Sequence, residues 1–210
     1  MAADERDDSA WGMSRRRFLK GVGVVGAGAA IADPSILTGQ DKPAAASEAG
    51  VTPAGSTIKV ALTINGEQRA LDVEPRVTLL SAMRDYLEPA LTGPKLVCGA
   101  GTCGACTVLL DGKPVYSCLV LAADAVGKKI TTVEGLGTPD KMNPVQAACC
   151  EKDALMCGFC TPGFVTALSA TVQKTPNATM DQIKQGCAGN FCRCGTYPHI
   201  FEAGVAATKV

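Results

Sequence analysis

Eight of the 11 cysteines lie in two sets of four, and this grouping constrains the fold more than any other feature of the chain. The first set is spaced C-x4-C-x2-C with a fourth cysteine farther along, and its members are Cys98, Cys103, Cys106 and Cys118. The second set joins a C-x2-C pair to a later C-x-C pair, and its members are Cys157, Cys160, Cys192 and Cys194. Thiolates bind soft metals, and small domains often need a metal for stability. We therefore expect a fold in which the four sulfurs of each set converge.

The first set has the spacing of a plant-type [2Fe–2S] site. The loop Cys98–Cys106 is rich in glycine, and Gly99, Gly101 and Gly104 can adopt positive φ. Backbone N–H groups can then point at the sulfurs and stabilise their negative charge. A zinc knuckle is the alternative, but zinc sites of that kind normally use paired C-x2-C units. The loop therefore favours iron–sulfur over zinc.

The second set is less specific when it is taken alone. A C-x2-C pair followed much later by C-x-C also fits a zinc site, or disulfides formed after export. Each pair lies just before a predicted helix, since Thr161-Pro162 and Tyr197-Pro198 are helix-start signals. The free N–H groups and the dipole at a helix N-terminus favour anionic thiolates. The predicted arrangement is a cluster held between two helix ends.

The composition restricts the partners and the chemistry of the chain. Its 210 residues carry a formal net charge of +0, which gives no reason to expect nucleic acid or an anionic membrane surface as a partner. The single histidine, His199, excludes a His-rich metal site. The sequence contains no dinucleotide-binding fingerprint and no C-x-x-C-H haem motif. We therefore predict no substrate-binding catalytic centre on this chain.

The N-terminal segment has the pattern of an export signal. A twin arginine within Ser14–Lys20 precedes the short apolar stretch Gly21–Ala32, which resembles a Tat signal. That stretch is too short and too glycine-rich to span a bilayer, so no stable membrane span is expected. An ordinary basic tail is the alternative. Residues 1–32 are assigned to the signal and residues 33–56, rich in Pro, Ala, Gly and Ser, to a flexible linker. The predicted location is the periplasm.

Residues 57–132 are predicted to form a small α+β domain. Apolar residues alternate along Ile58–Ile64, and Asn65-Gly66 supplies a hairpin turn into a second strand, Gln68–Val73. Thr78 is the predicted N-cap of a helix whose apolar positions are Leu79, Leu80, Met83 and Leu87. The remaining predicted strands are Thr107–Leu110, Pro114–Ser117 and Ile130–Val133. Strands, one helix and a cysteine loop between them suggest a β-grasp ferredoxin-like domain.

Residues 133–210 are predicted to form a small four-helix bundle. Helix-start signals recur at Asn143-Pro144, Thr161-Pro162, Thr179 and Tyr197-Pro198. Apolar residues follow each signal at helical spacing. Cys149, Cys150 and Cys187, which lie outside both sets, are predicted to be structural helix residues.

Four motifs in order resemble the iron–sulfur subunit of the xanthine oxidase family of molybdenum hydroxylases, over Ile58 to the C-terminus. They are C-G-A-G-T-C-G-A-C-T from Cys98, Asp111-Gly with S-C-L around Cys118, C-G-F-C-T-P-G from Cys157, and G-N-F-C-R-C-G-T-Y from Gly189. With the export signal, the chain most resembles the exported branch that oxidises aldehydes or N-heterocycles such as isoquinoline.

The resemblance implies an α+β architecture, with a β-grasp [2Fe–2S] domain followed by a four-helix-bundle [2Fe–2S]-binding domain. It implies that the first set ligates one cluster and that the second set ligates another, nearer to molybdenum. It also implies a large partner subunit holding molybdopterin, with Cys194 against the pterin. Met156 stands where the family usually has Gln, and a thioether cannot replace an amide hydrogen bond, so pterin contact there is left open.

The expected role is to relay electrons from the molybdopterin centre through two [2Fe–2S] clusters to an acceptor. An FAD subunit and a c-type cytochrome both remain open as that acceptor. The alternative is a free-standing ferredoxin-like electron carrier with no permanent partner. Ordinary plant-type ferredoxins, however, lack the second set and are usually strongly acidic.

Overall fold

The computed structural model describes residues 55–209. The predicted Tat signal and most of the predicted linker, up to residue 54, lie outside the described residues. Everything below concerns the described part of the chain.

Five strands form one mixed sheet in the order β2-β1-β5-β3-β4. The strands are β1 (Ile58–Ile64), β2 (Glu67–Val73), β3 (Thr107–Leu110), β4 (Lys113–Tyr116) and β5 (Lys129–Thr131). The first and last strands, β1 and β5, pair in parallel at the centre, whereas the other neighbours are antiparallel. This is the strand arrangement that the β-grasp prediction requires.

The predicted hairpin turn at Asn65 and Gly66 is present. Asn65 and Gly66 have φ values of 51° and 85°, as a type I′ turn requires, and Ile64 pairs with Glu67 across it. The Asn65 side chain also accepts from the Thr132 N–H and donates to the Thr132 hydroxyl, both at 2.9 Å. The turn is thereby tied to the end of β5.

The ends of three strands differ from the prediction by one or two residues. Strand β2 begins at Glu67 rather than Gln68, because the two-residue turn leaves Glu67 free to pair. Ser117 is not part of β4, since a 3₁₀ turn begins there and spans Ser117–Leu119. Val133 likewise starts the 3₁₀ turn Val133–Gly135, so β5 ends at Thr131.

The helix after Thr78 is shorter than predicted. Thr78 does cap it, because its hydroxyl accepts from the Ser81 N–H at 3.2 Å. The α-helix α1 covers only Leu79–Ser81 and continues as a π-helical turn, Ala82–Tyr86. The Met83 carbonyl then accepts from the Leu91 N–H at 3.0 Å, so the chain folds back instead of extending the helix. Leu87 is still buried, but in extended backbone.

Four helices form the C-terminal half, as predicted. They are α2 (Pro144–Glu151), α3 (Thr161–Lys174), α4 (Met180–Gly186) and α5 (Tyr197–Ala207). Reciprocal side-chain–backbone hydrogen bonds form capping boxes at the start of α2 and α4. The sequence also predicts that Leu155 continues the apolar spacing of the first of these helices, but Leu155 lies beyond the end of α2 and is exposed, because that helix stops at Glu151.

Two hydrophobic cores support the cysteine sets. One lies beneath the sheet and includes Leu62, Leu79 and Met83, and the other lies among the helices around Phe164 and Leu168. Helix α3 packs on strand β3, and so joins the helices to the sheet.

We predict that Leu62→Ala lowers the free energy of unfolding by about 2–5 kcal/mol, because Leu62 is fully buried and its loss leaves a cavity. Leu121→Ala is the matched control, since Leu121 is 39% exposed and its loss should cost about 0.5 kcal/mol or less. Unfolding followed by far-ultraviolet circular dichroism measures both. Equal effects of the two substitutions would contradict the assigned core.

Candidate metal centres

The loop Cys98–Cys106 directs backbone N–H groups at a sulfur, as predicted. Gly99, Gly101 and Gly104 all have positive φ, between 63° and 70°. The N–H groups of Ala100 and Thr102 each donate to Cys98 Sγ over 3.4 Å. These donors lower the pKa of the Cys98 thiol to about 6, and the Ala100 N–H makes the largest contribution. Cys98 is exposed and is therefore a ready thiolate at neutral pH.

The inner side of the first set is buried. Cys106 and Cys118 pack with Leu80, and their side chains lie within hydrogen-bonding distance of each other. The Ser117 hydroxyl donates to the Cys106 carbonyl at 2.7 Å, which fixes the end of β4 against the loop. Burial raises the pKa of the Cys106 thiol to about 11. Cys103 lies near Cys98 and is partly buried.

The second set converges between the starts of two helices. Cys160 is the residue before α3, while Cys192 and Cys194 lie on the loop before α5. The side chain of Cys157 interacts with that of Cys194, and the side chain of Cys160 with that of Cys192. Burial raises the pKa of Cys160 to about 12. The pKa of Cys157 is lowered, mainly by a hydrogen bond from the Phe159 N–H and to a smaller extent by the Cys194 side chain.

Thr196 and Tyr197 surround Cys192. Burial pushes the pKa of the Cys192 thiol upward, but hydrogen bonds, led by those of Thr196, outweigh it and bring the pKa to about 7. Cys192 Sγ lies 3.6 Å from Thr196 Oγ1, and the Cys192 N–H donates to the Tyr197 phenolic oxygen at 2.8 Å. The Tyr197 ring in turn packs edge-on against Phe164 in the core. The ligand loop is thereby anchored to α3.

Each set is thus arranged as two pairs of thiols. Among residues 55–209, no group of three or more Cys, His, Asp or Glu side chains surrounds a single point where one metal ion could sit. A [2Fe–2S] cluster has two irons that share four thiolates, so paired sulfurs fit it better than they fit one tetrahedral zinc. The described cysteines are all free thiols rather than disulfides. The donor sets therefore fit iron–sulfur clusters.

A short segment before Cys192 joins the two sets. The Phe191 N–H donates to the Cys103 carbonyl at 2.9 Å. Cys103 belongs to the first set and Phe191 directly precedes Cys192 of the second set, so this hydrogen bond joins the two sets. The Asn190 side chain donates to the Gly104 carbonyl at 2.9 Å, and the Tyr116 hydroxyl donates to the Gly189 carbonyl at 3.0 Å. Sequence reasoning gave Asn190, Phe191 and Tyr116 no role in joining the sets. For Asn190 and Phe191 the only signal was their place in the motif from Gly189.

Two of the remaining candidate residues, Met156 and Cys194, lie at the exposed edge of the second set. Met156 is 69% exposed beside Cys157, and Cys194 is exposed as well. Cys149 is buried and its neighbour Cys150 on α2 is exposed. Cys187 is also buried, but it lies just after α4 rather than within a helix as predicted. His199 lies on the exposed surface of α5, with Nδ1 2.9 Å from the Lys152 carbonyl oxygen.

Comparison with known families matches three segments of the chain. A family described as 2Fe-2S iron-sulfur cluster binding domain matches residues 62–132, and one described as [2Fe-2S] binding domain matches residues 132–204. A family described as TAT (twin-arginine translocation) pathway signal sequence matches residues 12–32. The limits predicted for the signal, the linker and the two domains remain predictions.

Similar proteins include two bacterial subunits and one solved structure. The aldehyde oxidoreductase iron-sulfur-binding subunit PaoA of Escherichia coli (strain K12) is 36% identical over 91% of this chain and 86% of its own. The xanthine dehydrogenase iron-sulfur-binding subunit of Escherichia coli O157:H7 is 43% identical over 73% of this chain and 96% of its own. The structure of quinoline 2-oxidoreductase from Pseudomonas putida 86 is 39% identical, with a TM-score of 0.69 over 73% of this chain and 95% of that chain.

These likenesses define an oxidoreductase subunit with a ferredoxin-type domain followed by a helical cluster-binding domain. The chain belongs to the iron–sulfur subunits of the xanthine oxidase family of molybdenum hydroxylases. Its role is electron transfer through two [2Fe–2S] clusters, which confirms the predicted fold class, cofactors and function.

The Tat match confirms the predicted export to the periplasm. Within residues 55–209, none of the helices combines the length and the apolar character needed to cross a bilayer.

We predict that, in iron-free reduced protein, Cys98 is alkylated by iodoacetamide faster than any other thiol of the first set at pH 7. Its pKa of about 6 means that the thiolate predominates above that pH and is lost below it. Cys187 is the control, because burial raises its pKa to about 11 and should keep it unreacted. Peptide mass spectrometry across pH 5 to 8 measures both. The prediction fails if the labelling rate of Cys98 keeps rising about tenfold per pH unit from pH 7 to pH 8 instead of levelling off.

Proposed function

We propose that this chain passes electrons, one at a time, from a molybdopterin centre on a large partner subunit to an acceptor. The partner's substrate in this proposal is an aldehyde or an N-heterocycle, by analogy with the aldehyde oxidoreductase and quinoline 2-oxidoreductase that the chain resembles. The observation that carries the proposal is the hydrogen bond between Phe191 and Cys103, because it links the two cysteine sets within one protein body.

The thiol pairs supply the ligand assignment. Two thiolates per iron would come from Cys98 with Cys103 and from Cys106 with Cys118 in the first set. In the second set, the side-chain interactions support pairing Cys157 with Cys194 and Cys160 with Cys192. When bound, each [2Fe–2S] cluster supplies a centre that takes up and gives back a single electron, at a potential set by its hydrogen bonds and burial.

A short route connects the two sets through the protein. It runs from Cys103 across its carbonyl to the Phe191 N–H, and from Phe191 along the chain to Cys192. It therefore needs one hydrogen bond and one intervening residue. The buried sulfurs Cys106 and Cys192 are shielded from water, while Cys98, Cys157 and Cys194 are exposed. Each set thus has one side that faces the protein and one that can face a partner.

Exposed apolar side chains lie beside both exposed ends. Leu155, Met156 and Phe159, each between 43% and 69% exposed, lie beside Cys157 and Cys160. Leu96 and Val97 lie beside Cys98 and are 57% and 55% exposed. Apolar surface of this kind is typical of protein interfaces. We assign the end with Cys194 and Met156 to the molybdopterin subunit, where Met156 would offer apolar contact only, and the end with Cys98 to the acceptor, an FAD subunit or a c-type cytochrome.

We predict that Cys103→Ser and Cys192→Ser each abolish turnover with the natural acceptor. Each removes one ligand, so the iron content should fall from about four to about two per chain and one of the two rhombic paramagnetic signals should disappear. Cys150→Ser is the matched control, since Cys150 is an exposed cysteine outside both sets. Iron analysis, electron paramagnetic resonance and acceptor-coupled assays measure these effects. Full activity of either ligand variant would refute the relay.

We also predict that the exported chain co-purifies with a large molybdenum-containing subunit. This result separates the proposal from the free-standing carrier, because a free carrier would be recovered alone and without molybdenum. Tagged protein purified from the periplasm of the native cells and analysed for metals answers the question. Recovery of a monomer that still transfers electrons would favour the free carrier.

A further inference from the structure

Asn190 is a buried polar residue at the contact between the two cysteine sets. It is only 8% exposed, and it lies two residues before Cys192. Its side-chain nitrogen donates to the Gly104 carbonyl at 2.9 Å and lies 3.3 Å from the Thr107 hydroxyl. Gly104 directly follows Cys103 in the loop of the first set. One amide therefore connects the loops that carry the two sets.

Both hydrogens of the Asn190 amide are used by the first loop. An Asn amide has two donor hydrogens, and the two acceptors here are the Gly104 carbonyl and the Thr107 hydroxyl. The Thr107 hydroxyl in turn donates to the same Gly104 carbonyl at 2.6 Å. The three groups form a closed buried network, in which an unpaired member would be costly.

Two glycines pack closely against the Asn190 amide. A Cβ added at Gly104 would lie 2.6 Å from Asn190 Nδ2, and one added at Gly163 would lie 3.0 Å from the same atom. Gly163 is in the first turn of α3, three residues after Cys160. Asn190 thus lies where segments adjoining Cys103, Cys160 and Cys192 meet.

We propose that Asn190 is a positioning residue that fixes the spacing between the two cysteine sets and so sets the rate of electron transfer between them. The proposal rests on the function proposed above. Asn190 acts through its neighbour, because it holds the backbone that aligns the Phe191 N–H with the Cys103 carbonyl. The transfer it supports moves one electron from a reduced to an oxidised centre, with no bond made or broken.

The decisive variant is Asn190→Asp in the assembled protein carrying both clusters. Aspartate has the same shape, but its ionised form has no hydrogen to donate. Gln173→Ala is the matched control, because it removes an exposed amide on α3. Thr107→Val is a second variant that removes one acceptor of the network with little change in shape.

We expect Asn190→Asp to retain four irons and both rhombic signals. With both clusters reduced by dithionite, the magnetic splitting between their signals should change, because the splitting depends on their separation. Transfer between the clusters after partial reduction should slow about tenfold or more, since displacements on the order of 1 Å can cost this much. Hydrogen exchange at the Phe191 N–H should speed up by roughly tenfold, as loss of a buried hydrogen bond allows. Thr107→Val should shift all three readouts less, in the same direction.

Unchanged splitting, transfer and exchange in both Asn190→Asp and Thr107→Val would overturn the positioning role while leaving the relay intact. Wild-type protein without a second cluster signal would instead overturn the proposed function. If Asn190→Asp is recovered with too little iron, Thr107→Val decides the matter by the same three readouts. Gln173→Ala should match the wild type in all of them, and an equal change there would also count against Asn190.

Discussion

The structure depends on a few hydrogen bonds that join the segment before Cys192 to the loop that carries Cys103. The sheet and the helices have separate hydrophobic cores, and the packing of α3 on β3 joins the two halves. Hydrogen bonds are directional, and those of Phe191, Asn190 and Tyr116 add a fixed alignment between the halves near the cysteine sets. Electron transfer between two centres is sensitive to their separation. We infer that the relay in this chain relies on an interface of main-chain groups and one buried amide.

The pKa values of the thiols differ within each set. Cys98 and Cys192 have lowered pKa values because hydrogen bonds stabilise their thiolates, whereas burial raises the pKa of Cys106 and Cys160. Metal ligation requires all four thiols of a set to lose their protons, and the charge of the iron compensates for burial. Each set therefore combines a thiol whose thiolate is already stabilised by hydrogen bonds with a thiol whose ionisation is opposed by burial.

Much of the fold could be predicted from local patterns. The Asn65-Gly66 turn, the Thr78 cap and the four proline- or threonine-marked helix starts all depend on neighbouring residues, so the sequence displays them directly. The π-helical turn at Ala82–Tyr86 could not be predicted in this way, because it depends on Leu91 returning to Met83. The cysteine spacing indicated the two sets, and their pairing came only with the structure. The role of Asn190 was hidden for the same reason, since its partners lie more than 80 positions away.

The close approach at Gly104 and Gly163 has a consequence for how such chains can change. A side-chain carbon at Gly163 would clash with the Gly104 carbonyl oxygen, although one glycine belongs to the helical half and the other to the cysteine loop of the first set. Neither position can gain bulk unless the opposite backbone retreats. A chimera that grafts the ferredoxin-like half of one relative onto the helical half of another must carry both glycines and residues 189–191 together. In such recombination, these distant stretches behave as a single inherited unit.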